Sequence, residues 1–167
     1  MITKSSILAN LKSLDWRYKR SASNKGSLFF SKLAILELCG WIEESMDDII
    51  RTCARRCLKE QSNQEHVENV IIWRNYGFDY QKHFRNMLVQ LVGLIAVERI
   101  ERSVDPNKRN NLEVTLSTLK TVRDSEAHTH IKGVMKIINS PSVTMKQFHP
   151  VYDGLKEFDQ VIRNTSL

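Results

Sequence analysis

Proline and glycine are scarce, three and six in 167 residues. Both interrupt regular backbone, so their scarcity argues against a fold of many short strands and tight turns and favours long helices. Cysteine is limited to Cys39, Cys53 and Cys57. An odd count without framework spacing excludes a disulfide-stapled scaffold. Cys53 and Cys57, four apart on one expected helix, are expected to face the core as small apolar side chains. No apolar run approaches the ~20 residues of a membrane span. The opening MITKSSILANLKSLDWRYKR lacks the apolar centre of a secretion signal. The expectation is a cytoplasmic protein with no membrane partner. Internal repeats and low-complexity tracts are also missing.

What is present suits one globular domain over residues 1–167. A hydrophobic share of 41% and a charged share of 26% are those of a chain able to bury a core without staples. The charge is one-sided: 25 Lys and Arg against 19 Asp and Glu give a net charge of +6. A basic balance fits a polyanionic partner, RNA or DNA, because phosphate neutralisation drives much of such binding. It equally fits a basic surface kept for solubility.

Apolar spacing of three and four predicts an all-α helical bundle. A first helix is expected over about Ser5 to Lys19, on Ile7, Leu8, Leu11, Leu14 and Tyr18, with a loop after it over Arg20 to Ser27. The longest runs from Leu28 to Leu58, with Leu33, Leu36, Gly40, Ile42, Met46, Ile49, Cys53 and Cys57 as its stripe and Ser27 or Ser31 as its cap. Next comes a less regular stretch, a short helix and then a turn at Gly77. There Trp73, Tyr76 and Phe78 read as core or lid aromatics, with nucleobase stacking as the alternative. A second long helix is predicted over Asp79 to Ser103 on Phe84, Met87, Leu88, Leu91, Leu94, Ile95 and Ile100. Another begins at Asn111, on Leu112, Leu116, Leu119 and Val122. A short one carries Ile131, Val134, Met135 and Ile138, and a last one starts near Pro150, a good first-turn proline. The two long helices, Leu28–Leu58 and Asp79–Ser103, are expected at the centre, with shorter helices around them.

The stretch TVRDSEAHTH, Thr121 to His130, gathers Arg123, Asp124, Glu126, His128 and His130. On an unbroken helix Arg123 and His128 stand about 140° apart and cannot face one small site. Asp124 and Ser125 are good N-cap residues, so a helix end at Val122–Asp124 and a new start at Ser125 or Glu126 are expected. Arg123 and His128 would then flank a bend and point into one cleft, with His130 directed elsewhere. With twelve Arg and five His in 167 positions, about 0.4 Arg-x4-His pairs arise by chance, so the spacing alone carries nothing. Its place after an apolar helix, late in an all-α chain, is what gives it meaning.

At this point the chain resembles the HEPN superfamily of α-helical domains, many of them RNA-cleaving and found in toxin–antitoxin and antiviral systems. RDSEAH, Arg123–His128, is similar to the family motif of Arg, four to six residues, then His, with Asp124 in the polar place after the Arg. LSTLKTV before it resembles the apolar run into the motif. LAILELCGWIEESMDDII, Leu33–Ile50, resembles the early long helix of a prokaryotic branch, with IE at Ile42–Glu43. Where many relatives carry Gly after the His, this chain has Thr129. The resemblance implies a nuclease whose cleft is shared across a dimer.

The chemistry is consistent with that implication. Metal-free RNA cleavage needs a base for the 2′-OH, an acid for the 5′-oxygen and a cation for the charge developing on phosphorus. His128 titrates near neutrality, and Arg123 offers a charged fork matched to phosphate oxygens. One protomer supplies one such His, and a two-fold homodimer would supply the second. Supporting parts are open to Lys120, for phosphate, with a plain solvated lysine as the favoured alternative, and to Glu43, for orienting Arg123 across the bundle, with Glu44 or a plain surface role for Glu43 as alternatives. The competing readings are a structural His128, with Arg123 paired to Asp124 or Glu126, and a metal site on His128 and His130. The latter is disfavoured because His-x-His aligns on a strand, not a helix. His66, His83 and His149 are read as isolated.

The expected function is therefore a metal-independent, cofactor-free endoribonuclease, a homodimer acting as toxin or defence effector, with RNA and an antitoxin or defence-system protein as partners. The alternative is a catalytically inactive helical dimerisation or RNA-binding module of such a system.

Overall fold

The computed structural model describes residues 2–127 and 138–165. Over these residues it contains six α-helices and no strand. They are α1 (Ser5–Lys19), α2 (Asn24–Cys57), α3 (Gln61–His66), α4 (Arg85–Ser103), α5 (Pro106–Ala127) and α6 (Pro141–Asn164). π-helical turns extend α3 over Val67–Ile72 and lead into α4 over Tyr80–Phe84. The all-α expectation is met. His128, His130 and the helix expected around Ile131, Val134 and Met135 lie outside the described residues.

α2 forms the axis, packed by α1, α5, α6 and the π-turns after α3. It starts earlier than the spacing predicts, because Ser23 caps it: the Gly26 N–H donates to Ser23 Oγ at 3.1 Å. Ser27 lies inside the helix and Ser31 is buried, so neither is the cap. The core face of α2 carries Ala34, Ile35, Leu38, Cys39, Ile42, Met46, Ile49, Ile50, Cys53 and Ala54. Leu33, Leu36 and Gly40, expected in that stripe, are exposed, and so is Cys57. Thirty-four residues at 3.6 per turn offer several apolar lines, and contact with α1 and α6 selects one. The exposed line Phe29, Leu33, Leu36, Gly40 continues through Glu43 to Asp47 within a sector of about 80°.

The second central helix is α6, not the segment over Asp79–Ser103. That segment begins with π-turns and is broken at Gly93, whose φ of 80° and ψ of 160° leave helical space. The break rotates the C-terminal half of α4: Leu94 and Ile95 face solvent, and Val97 and Ile100 turn inward. α6 begins at Pro141, which takes the first-turn place assigned to Pro150. Pro150 sits inside the helix. It removes one backbone hydrogen bond, a cost of ~3 kcal/mol in an exposed helix, offset here by burial of Phe148, Val151, Leu155, Phe158 and Ile162 on the inner face.

Candidate functional site

α5 positions the candidate arginine. Leu112, Leu116 and Leu119 are buried against the bundle, which fixes the phase of the helix. The helix continues without interruption from Pro106 to Ala127. The break expected at Asp124–Ser125 is therefore absent. Both are good caps, but α5 keeps its backbone bonds through them because its apolar face stays seated on α2 and α6 up to Val122. A bend bringing Arg123 and His128 to one cleft would have to come after Ala127. Ser125 lies within the last turns of α5, and His128 and His130 fall outside the described residues.

Arg123 is the best-defined part of the site. Its Nη1 donates to Glu43 Oε1 at 2.9 Å, from α2, eighty residues away in sequence. Its Nε and Nη2 donate to Asp124 Oδ1 at 3.2 and 3.1 Å. The guanidinium lies over the ring of Phe78, 4.9 Å from its centroid, and Phe78 is fully buried. Glu43 thus reaches across the bundle to Arg123. Glu44, its sequence neighbour, turns to Arg51 at 2.8 Å instead. Three of the five guanidinium N–H groups are committed among the described residues, which leaves two for another acceptor.

Arg123 and Glu43 line a cleft of about 500 Å³ together with Asp47, Arg51, Ile72, Trp73, Asn75, Tyr76 and Gly77. Its electrostatics are not those of the chain as a whole. Arg51 is surrounded by Glu44, Asp48 and Glu68, Arg123 by Glu43 and Asp124, and Asp47 lies between them. Burial pushes the Asp47 carboxyl up to about 7, with Glu44, Glu43 and Glu68 adding to the rise and Arg51 opposing it. The net charge of +6 does not describe this cleft, whose lining balances two carboxyl groups, Glu43 and Asp47, against two guanidinium groups, Arg51 and Arg123.

Lys120, one turn before Arg123, pairs with Asp79 at 3.4 Å and is one-third exposed. His83, read as isolated, lies close by. Its Nδ1 accepts from the Asp79 N–H at 3.0 Å, and burial lowers its pKa first, with Lys120 and Arg123 lowering it further. Its ring sits beneath Gly77, whose φ is +114° and where an added Cβ would stand 3.0 Å from His83 Cε1. Cys53 is buried as expected, whereas Cys57 is exposed, and Cys39 is buried as well. Burial pushes the Cys39 and Cys53 thiols up to about 12, which keeps them protonated and unreactive. Among the described residues no group of three or more His, Cys, Asp and Glu is placed to hold a metal ion.

Sequence reasoning missed Asp47, Arg51, Asp79 and the neighbourhood of His83. One signal was available: Glu43, Asp47 and Arg51 recur at steps of four, so they share a helix face with each other. It also misjudged Trp73 and Tyr76, which are 68% and 71% exposed, whereas Phe78 is core. No family model, curated protein or solved structure matches the chain.

Proposed function

We propose that the chain is a metal-independent endoribonuclease of HEPN type, a homodimeric cytoplasmic toxin or defence effector acting on RNA. The observation that carries this reading is Arg123: a guanidinium fixed by Glu43 on the wall of an open cleft, with two N–H groups left over, five residues before His128. In the reaction His128 takes the proton of a 2′-OH, whose oxygen forms a bond to phosphorus. The bond from phosphorus to the 5′-oxygen breaks, and that oxygen takes a proton from the second protomer's histidine. Arg123 compensates the charge that develops on the phosphoryl oxygens. The exposed line of Phe29, Leu33 and Leu36 supports the dimer. It is apolar surface on the same face of α2 as Glu43 and Asp47, so a second copy covering it would lie beside the cleft.

The test is cleavage of RNA by the purified chain in the presence of a chelator. Arg123→Ala and His128→Ala each abolish cleavage, and the products carry 2′,3′-cyclic phosphate ends. Robust cleavage by the His128→Ala protein refutes the reading.

One observation favours a second reading. Arg123 is already held by two carboxylates, Glu43 and Asp124, as a structural arginine would be. On that reading the chain is a catalytically inactive dimerisation or RNA-binding module of a toxin–antitoxin or defence system. Expression separates the two. Wild type poisoning a host that tolerates Arg123→Ala supports the enzyme, and equal tolerance supports the module.

A further inference from the structure

The turn Trp73–Asp79 is elaborately held, yet it presents two large aromatic rings to solvent. Gly77 adopts a backbone conformation open to glycine and has the His83 ring beneath it. The Asn75 amide donates to the Ile71 carbonyl, and Asn75 Oδ1 accepts from Asn86 Nδ2 at 2.9 Å. Asp79 accepts from the Lys82 N–H at 2.9 Å and pairs with Lys120. A turn ordered by this many contacts would bury its aromatics if their role were packing. Instead Trp73 and Tyr76 stand exposed, 6.2 Å apart at 70°, on the wall of the cleft that holds Arg123.

Facing them in the same cleft is Asp47, a half-buried carboxyl to which none of the described residues donates a hydrogen bond. We infer that this cleft is a nucleobase subsite selective for guanine, with Trp73 and Tyr76 as the stacking surface and Asp47 as acceptor for the base edge. Guanine alone among the four RNA bases presents two adjacent donors, N1–H and N2–H, which match the two oxygens of the Asp47 carboxyl once it has lost its proton, so the binding is measured above pH 7. The stacking pair by itself accepts any base, and the carboxylate supplies the choice. Arg123, on the same wall, is placed for the phosphate of that nucleotide. A cleft of about 500 Å³ is of the size that takes small ligands. Arg51 and Arg123 both line it, which disfavours a cationic side chain as occupant. The Asp47 carboxyl, unhelpful to phosphate, is the acceptor that a donor-rich base edge requires.

This inference rests on the endoribonuclease reading for the presence of RNA in the cleft, but its test does not require cleavage. The full-length His128→Ala chain is titrated with fluorescent short oligouridylate, with the same oligomer carrying one guanosine, and with one carrying inosine, which lacks the 2-amino group. One guanosine tightens binding about tenfold, and inosine recovers only part of the gain. Added Trp73→Ala weakens all three by about tenfold, and Trp73→Phe retains most of the affinity. Added Asp47→Asn removes the guanosine preference, read as the ratio of the guanosine-containing oligomer's affinity to that of oligouridylate measured on the same variant. The inference is overturned if Trp73→Ala binds like its parent, or if the guanosine preference survives Asp47→Asn. It is equally overturned if Trp73 matters only for dimerisation or for binding a lysine-rich peptide. Loss of cleavage in Arg123→Ala with binding indifferent to Trp73 keeps the nuclease and discards the subsite. Trp73-dependent guanosine binding by a wild type that cleaves nothing does the reverse.

Discussion

Two arginines line one cleft and are held in different ways. Arg51 is surrounded: its Nε donates to both oxygens of Glu68, at 3.0 and 3.2 Å, and its Nη1 to Glu44 and Asp48. It ties α2 to the π-turns after α3, a clamp between two pieces of scaffold. Arg123 is held from one side by Glu43 and Asp124 and from below by the Phe78 ring, and retains donors toward the cleft. The contrast teaches that a charged residue lining a cleft is not by that fact a functional one. What separates the two is not the number of N–H groups consumed, three in each, but the partners: three carboxylates around Arg51, against two carboxylates and an aromatic ring around Arg123.

The contrast is most sharply broken by cleavage assays. Arg123→Ala is expected to lower the cleavage rate by about 10³-fold, the scale of losing one donor to a developing oxyanion, whereas Arg51→Ala stays near wild type. Equal losses in both would remove the distinction. Next in size is the residue that holds Arg123. Glu43→Ala is expected to lower kcat about tenfold with KM little changed, since a misplaced catalytic group loses rate before affinity. Glu43→Gln recovers part of that loss, and Glu44→Ala has no effect on rate. An effect of Glu44→Ala matching that of Glu43→Ala would show that general acidity, not the 2.9 Å contact, matters.

Stability should rank the arginines in the opposite order. Arg51→Ala releases three carboxylates from their partner and is expected to cost about 1 kcal/mol, seen as a Tm lower by about 2–4 °C in thermal unfolding. Arg123→Ala is expected to cost no more than that. A further effect, of pH on stability, concerns Asp47. Its folded carboxyl is raised to about 7, above its unfolded value, so the folded state holds the proton more tightly. That contribution is complete below the ordinary carboxylate range and is lost as pH rises through about 7. Asp47→Asn abolishes this dependence, so its Tm relative to wild type rises between about pH 4 and pH 8. A constant Tm difference across that range would mean that Asp47 is not perturbed.

Much of the fold could be read from spacing. The apolar period placed α1 over Ser5–Lys19, located α2 within four residues at its start, and set Leu112, Leu116 and Leu119 on the inner line of α5. It failed where a local signal was outweighed. Asp124 and Ser125 have cap chemistry, but the buried leucines upstream keep α5 helical through them. Gly93 looks harmless inside an apolar run, yet it leaves helical space and exposes Leu94 and Ile95. Leu33 and Leu36 fit the stripe as well as Ile35 and Leu38 do, and only the neighbours choose between the lines.

The candidate site divides in the same way. Arg123, Asp124 and Lys120 were visible as a local cluster, and Glu43 was reached as one of two adjacent carboxylates. The amino-acid pattern by itself determined the helices, the late polar junction and the chemistry its side chains can offer. Tertiary packing alone decided that Glu43 and not Glu44 meets Arg123, that Glu68 joins Glu44 and Asp48 around Arg51, and that Asp47 shares a cleft with Trp73 and Tyr76. The reason is physical. Helix periodicity is a property of residues a few positions apart, whereas hydrogen-bond saturation and desolvation depend on which distant surfaces are pressed together, and α2, the turn after Ile72 and α5 meet only in the folded chain.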